Sequence, residues 1–211
     1  MDITVKGLAD YMISNPAKQR KILKEFKYPT LDEARAKIHY YREAREAIVS
    51  YHKGGRDRSW LIGQAAKFTG QSASATPSSQ KRLRHNARAL IAYATYFANK
   101  KFEVLPKLKW ALTHSGVRIS IQPDLHVREM DKERVIKLEF SAHEPDQRLT
   151  RIIGQCMFEG ARAAGLNLPS SSVLFVDVSR GEIYKGARLG AYMRSDIHAA
   201  CDTIADIWPK I

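Results

Sequence analysis

Apolar residues recur along this chain with two periods, and the change of period divides it. Over the first hundred residues the spacing is helical. Val5, Leu8, Tyr11 and Met12 predict a short helix over 5–14. Asn15-Pro16 reads as a cap followed by proline at the first helical position, opening a basic helix that Pro29 ends. Thr30-Leu31-Asp32-Glu33 has the form of a capping box. The helix it opens runs to about Lys53, with Leu31, Ala34, Ile38, Tyr41 and Ile48 as its apolar stripe. A shorter helix is expected over Trp60–Phe68. The polar stretch from Thr69 to Gln80 reads as a mobile connector. Residues 81–100 form another helix, with Leu90, Ile91, Tyr93, Ala94 and Phe97 on its apolar side.

From Phe102 the period becomes two. Val104, Leu108, Trp110 and Leu112 suggest one strand. Val117, Ile119, Ile121, Leu125 and Val127 suggest a second, and Val135, Ile136, Leu138 and Phe140 a third. Three strands in meander order imply an antiparallel arrangement. Asp146 then opens a helix through Ala164, which Gly165 ends. Val173–Val178 is an unbroken apolar run, as in a strand buried on both faces. Residues 182–185 pair with it as a hairpin, and a last helix covers about 194–207. The expected fold is therefore α/β (α+β): a mixed central sheet flanked by helices. Residues 1–80 form a helical N-terminal region and 81–211 an α/β domain.

Composition narrows the class. The chain has 211 residues and is 44% hydrophobic, enough to bury a core. No apolar run approaches the roughly 18 residues of a membrane span. The two cysteines, Cys156 and Cys201, lack metal-ligand spacing and read as free thiols of a cytoplasmic protein. The net charge is +13, and residues 53–118 hold 13 Lys or Arg against two acids, so +11 of it lies in that segment. Charge confined in this way points to a polyanion. Lys81, Arg82, Arg84, His85 and Arg88, expected at the start of a helix whose dipole they oppose, are the candidate phosphate contacts. There is no Gly-rich phosphate loop, no Gly-x-Ser-x-Gly and no His-Glu-x-x-His.

The candidate chemistry lies in two acids. Asp124 follows Pro123 near the end of one expected strand, and Glu139 lies on the next. Alternation puts Lys137, Glu139 and Ser141 on one face and Leu138 and Phe140 on the other. Two carboxylates on neighbouring strands can hold Mg²⁺ against a phosphate, since that ion needs few protein ligands. His126 and His143 flank the acids as weaker candidates.

This arrangement resembles the PD-(D/E)XK nuclease superfamily. The element order over 81–178 is similar to its core, Pro123-Asp124 to its PD element, and Glu139-Phe140-Ser141 to its E-X-K element. Gln155-Cys156-Met157-Phe158 is similar to the Gln-x-x-Tyr motif of the RecB-type branch. The resemblance implies a restriction-endonuclease-like core and a DNA phosphodiesterase using Mg²⁺, or Mn²⁺. It implies Asp124, Glu139 and the Phe140 carbonyl as metal ligands, and Gln155 as an orienting group. The chain departs from the pattern twice. Ser141 stands where the lysine belongs, and the helix over 81–100 has no glutamate. Lys137, on the same face as Glu139, is the expected replacement for the lysine. Two other readings stay open: a non-catalytic nucleic-acid binder with this fold, and a basic module that meets an acidic protein.

Overall fold

Glu139 and Asp177 end two adjacent parallel strands, side by side in register. The computed structural model describes residues 1–29, 40–186 and 191–211. Its elements run β1 (Asp2–Thr4), α1 (Val5–Met12), α2 (Pro16–Lys27), α3 (Arg42–Lys53), α4 (Arg58–Ser72), α5 (Pro77–Tyr96), β2 (Glu103–Val104), β3 (Trp110–His114), β4 (Val117–Ile121), β5 (Leu125–Glu129), β6 (Lys132–Glu139), α6 (Gln147–Ala163), β7 (Val173–Asp177), β8 (Glu182–Lys185) and α7 (Ala191–Ile207). The mixed α/β class expected from the periodicity is the class observed. The Thr30–Glu33 capping box, with Leu31, Ala34 and Ile38 of its stripe, lies outside the described residues.

The expected three-strand meander is instead two sheets. A five-stranded sheet has the order β2-β5-β6-β7-β8, with β6 and β7 parallel and the other neighbours antiparallel. A three-stranded sheet has the order β1-β4-β3. Each break falls near a proline, which has no N–H to give a ladder. Pro106 lies between β2 and β3, and Gln122-Pro123 between β4 and β5. After Pro123 the Asp124 N–H donates to Ile136 O at 2.9 Å and starts the second ladder. The β3–β4 hairpin closes through Ser115 and Gly116, both at positive φ (48° and 74°), the two-residue turn that matches strand twist.

The first 80 residues, read as helical, also supply a strand. β1 lies parallel to β4, with Ile3 opposite Ile119. The Thr4 hydroxyl accepts from Gly7 N at 3.0 Å and caps α1. A Cβ at Gly7 would overlap the Phe26 ring, so glycine lets α2 close over α1.

The stretch from 69 to 80 is not the expected connector. α4 continues to Ser72, and α5 begins at Pro77, which suits the first helical position. Lys81 is therefore the fifth residue of its helix. The cations from Lys81 to Arg88 lie past the first turn, where the macrodipole opposes them only weakly.

The five-stranded sheet separates two cores. Leu125, Val127, Ile136, Leu138, Phe140, Leu174 and Val176 pack with α3, α4 and α5. Val135, Val173 and Phe175 pack with α1, α6, α7 and the smaller sheet. Neighbouring Val135 and Ile136 thus enter opposite cores. α6, capped by Asp146, is the crossover that a parallel β6–β7 pair requires. Cys156 and Cys201 are free, as expected, and both are buried.

Gly160 on α6 tests this packing. Alanine is worth about 1 kcal/mol more than glycine inside a helix. A Cβ at Gly160, however, would overlap the Trp110 indole and come 2.9 Å from Ile121 Cδ1. Overpacking of a closed core costs about 1–3 kcal/mol, so Gly160→Ala should lower the urea midpoint. A raised midpoint would mean that Trp110 yields freely.

Candidate functional site

Asp124 and Glu139 both sit where β5 and β6 reach the rim of the sheet, and each is surrounded by donors. Asp124 lies opposite Lys137, one step before the Leu125–Ile136 pair. Its Oδ2 accepts from Leu138 N at 2.8 Å and meets Lys137 Nζ at 3.0 Å, while its Oδ1 is 3.0 Å from Arg45 Nε of α3. Lys137 also donates to Gln122 O at 3.3 Å. Glu139 Oε1 accepts from Phe140 N and Ser141 N, each at 3.0 Å, and Oε2 is 2.7 Å from Lys6 Nζ. Burial alone would raise the Glu139 carboxyl. The Lys6 ammonium and the two backbone N–H groups outweigh it and hold the group below the usual glutamate range.

Lys6 is the residue beside Glu139 that the sequence reading missed. It lies 133 positions before Glu139. Only the pairing of β1 with β4 and the capped turn at Thr4 bring it there. Asp10, one helical turn after Lys6, is raised by burial and by the Glu139 charge, although Lys6 draws it down. Desolvation would lower Lys6, but the Glu139 and Asp10 charges outweigh it and raise the ammonium above its ordinary range. Helix α1 thus brings the Lys6 ammonium to Glu139 and sets the Asp10 carboxyl within range of its charge. No local signal marks them, since Lys6 and Asp10 look like ordinary wet positions on a short helix.

Asp177, fully buried at the end of β7, ties down the chain beyond Glu139. Its Oδ1 accepts from Ser179 N at 3.0 Å and Arg180 N at 3.2 Å, and its Oδ2 from Arg180 Nη1 at 2.9 Å. Arg180 Nη2 reaches Ala142 O at 2.8 Å, and the Ser179 hydroxyl is 2.7 Å from Ser141 O. Ser141 therefore serves this turn through its backbone.

Other expected residues lie elsewhere. Gln155 is buried on α6, its Nε2 donating to Glu159 at 2.7 Å, with no contact to Asp124 or Glu139. His126 is held between Pro106 O and Glu133, each at 2.7 Å, a structural role. The basic cluster on α5 splits in two. Arg82 turns inward and pairs with Glu43 of α3. Lys81, Arg84, His85 and Arg88 line a groove of about 220 Å³, and none of their cations pairs with an acid among the described residues. A cavity of about 30 Å³ beneath the sheet, lined by Tyr93, Phe97 and Phe102, touches none of these groups.

No family model, no curated protein and no solved structure matches this chain. The functional reading rests on the site alone.

Among the described residues, no group of three or more His, Cys, Asp or Glu side chains is placed to share a metal ion. Mg²⁺ asks for less, one or two carboxylates with waters and phosphate oxygens. Asp124 and Glu139 offer hard oxygen ligands, and each already holds an ammonium at 2.7–3.0 Å. Each carboxylate is an oxygen donor of the kind such an ion takes, and Lys6, Lys137 and Arg45 stand against those oxygens in this structure.

Proposed function

We propose that the protein is a metal-dependent phosphodiesterase acting on nucleic acid, DNA first of all. One observation carries the reading: two carboxylates, each paired to a lysine, at the rim of one sheet. Asp124 and Glu139 would hold Mg²⁺ or Mn²⁺, with the Phe140 carbonyl as the third ligand that the superfamily resemblance suggests. The bound ion supplies a bound water of lowered pKa and positive charge against the phosphate. The chain's own residues do the rest. Lys6 Nζ would donate to the phosphate oxygens, while Lys137 and Arg45 hold the Asp124 carboxylate in place. The groove cations of α5 would take up neighbouring phosphates. The two buried thiols suit a reducing compartment, and we place the protein in the cytoplasm.

A second reading has its own observation. Lys6, Lys137 and Arg45 are three cations on two carboxylates, a set that repels a further cation and attracts an anion. In that reading the protein binds nucleic acid without cutting it.

Incubation with linear, circular and single-stranded DNA separates the two. The first reading expects cleavage with Mg²⁺ or Mn²⁺ that EDTA stops. Asp124→Asn and Glu139→Gln should each reduce it by about 100-fold or more, the scale of losing a group that stabilises transition-state charge. Binding that weakens steeply with salt, with no cleavage of any DNA under either metal, would establish the second.

A further inference from the structure

The groove on α5 does not end at His85. His85 Nδ1 lies 3.0 Å from the Tyr40 hydroxyl, and the two rings meet edge to face, their centroids 5.7 Å apart. Tyr40 meets Tyr41 at 5.0 Å. Tyr41 stacks on Phe140 at 4.9 Å and 18°. Phe140 adjoins Glu139 in the chain, and the Arg45 guanidinium lies over its ring at 5.3 Å while its Nε faces Asp124. A row of ring contacts thus runs from the cationic groove to Phe140, next to Glu139 in the chain, with Arg45 between that ring and Asp124.

The row is built, not incidental. Asn86 of α5 is fully buried, and it accepts from Ala44 N at 2.8 Å and donates to Tyr40 O at 2.6 Å and Arg82 O at 2.9 Å. It fixes the backbone on which Tyr40 stands. Tyr40 and Tyr41 both keep part of their surface exposed. The faces of α5 divide accordingly: Arg82 is neutralised by Glu43, whereas Lys81, Arg84 and Arg88 line the groove and pair with no acid among the described residues.

We propose that this row is a track for a single nucleic-acid strand, with phosphates in the α5 groove and unstacked bases against Tyr40 and Tyr41. The inference deepens the phosphodiesterase reading, on which its end point at Glu139 rests, and names its substrate class as single-stranded or frayed nucleic acid. The physical reason is the availability of base faces. In a duplex each base is covered by its neighbours, and a protein meets phosphates and groove edges. A tyrosine beside a cationic groove gains from a base only when the strand is open. Groove cations together with aromatic platforms are how single strands are held without sequence preference.

The test is fluorescence anisotropy in EDTA, which removes cleavage from the result. The probes are a labelled oligothymidine, an oligouridine and a duplex of equal length. Wild-type protein should bind one or both single strands about tenfold tighter than the duplex. Tyr40→Ala should weaken single-strand binding by about tenfold, the scale of one lost stacking contact, and leave the duplex unchanged. Tyr40→Phe, which loses only the hydroxyl contact with His85, should stay close to wild type. Replacing Lys81, Arg84 and Arg88 with glutamine should weaken every probe and flatten the salt dependence by about 0.7 per lost phosphate contact on a single strand. Duplex binding as tight as single-strand binding would overturn the track, as would Tyr40→Ala affecting all three probes equally. Either result leaves cleavage open, and failure to cleave leaves the track standing. A preference for oligothymidine or for oligouridine, which differ in both the sugar and the thymine methyl, supports the track either way.

Discussion

Replacing Lys6 with methionine should reduce metal-dependent cleavage by about 100-fold or more while leaving the protein folded, because its ammonium is the nearest positive charge to Glu139. The stability cost should be small. The Lys6 side chain is 47% exposed, and ion pairs of that exposure contribute about 0–1 kcal/mol. Glu139 keeps its two backbone N–H bonds, so its carboxylate is not stranded. The expected pattern is therefore a large loss of rate with thermal unfolding and DNA binding close to wild type. A second variant makes the result specific. Ser141 occupies the position where the superfamily pattern has lysine, so Ser141→Lys in the Lys6→Met background should recover part of the lost rate. Lys137→Met is the parallel test on Asp124. If Lys6→Met cuts at the wild-type rate, Lys6 leaves the site, and its contact with Glu139 only pins α1 to the sheet.

The second large effect is on stability. Asp177→Ala should cost about 3 kcal/mol, in the range for breaking a buried ion pair, and lower the melting temperature by roughly 6–12 °C for a chain of this size. Asp177 is 0% exposed and accepts from two backbone N–H groups and the Arg180 guanidinium. The alanine leaves those donors facing an apolar core. Arg180 is 32% exposed and regains some water, which keeps the figure at the low end. Asp177→Asn retains an acceptor for the turn and loses the charge, so it should fall between the two. Circular dichroism melts of the three proteins decide the matter. A loss below 1 kcal/mol in the alanine variant would show that the turn holds itself. Because Arg180 and Ser179 also hold Ala142 and Ser141, the alanine variant should loosen the chain just past Glu139 as well.

Much of the fold was legible because the signals were local. Asp146 and Gly165 mark the ends of α6 through capping and a left-handed residue, each set by a few neighbouring atoms. The apolar run of β7 and the turn into β8 were equally plain. The strands from 103 to 129 were harder. A period of two says that a segment is a strand with two faces, but not which sheet it joins. Ile121 ends one ladder and Leu125 begins the next, in unbroken alternation, and only Pro123 marks the change of sheet. The stretch from 69 to 80 misled because small polar residues are poor helix formers in isolation, while α4 and α5 gain their stability by packing on each other.

Spacing, alternation and composition were enough for the mixed α/β class, for Glu139 on a strand with Asp124 close to the neighbouring one, and for the excess of positive charge between Lys53 and Arg118. None of these needs knowledge of distant neighbours. Which groups surround the acids was settled only when the chain closed on itself. Lys6 reaches Glu139, Arg45 reaches Asp124, and Arg82 pairs with Glu43 while Lys81, Arg84 and Arg88 line the groove. The Lys6–Glu139 contact spans more than a hundred positions and is set by how sheets and helices pack. That packing is a property of the whole chain that no local window contains.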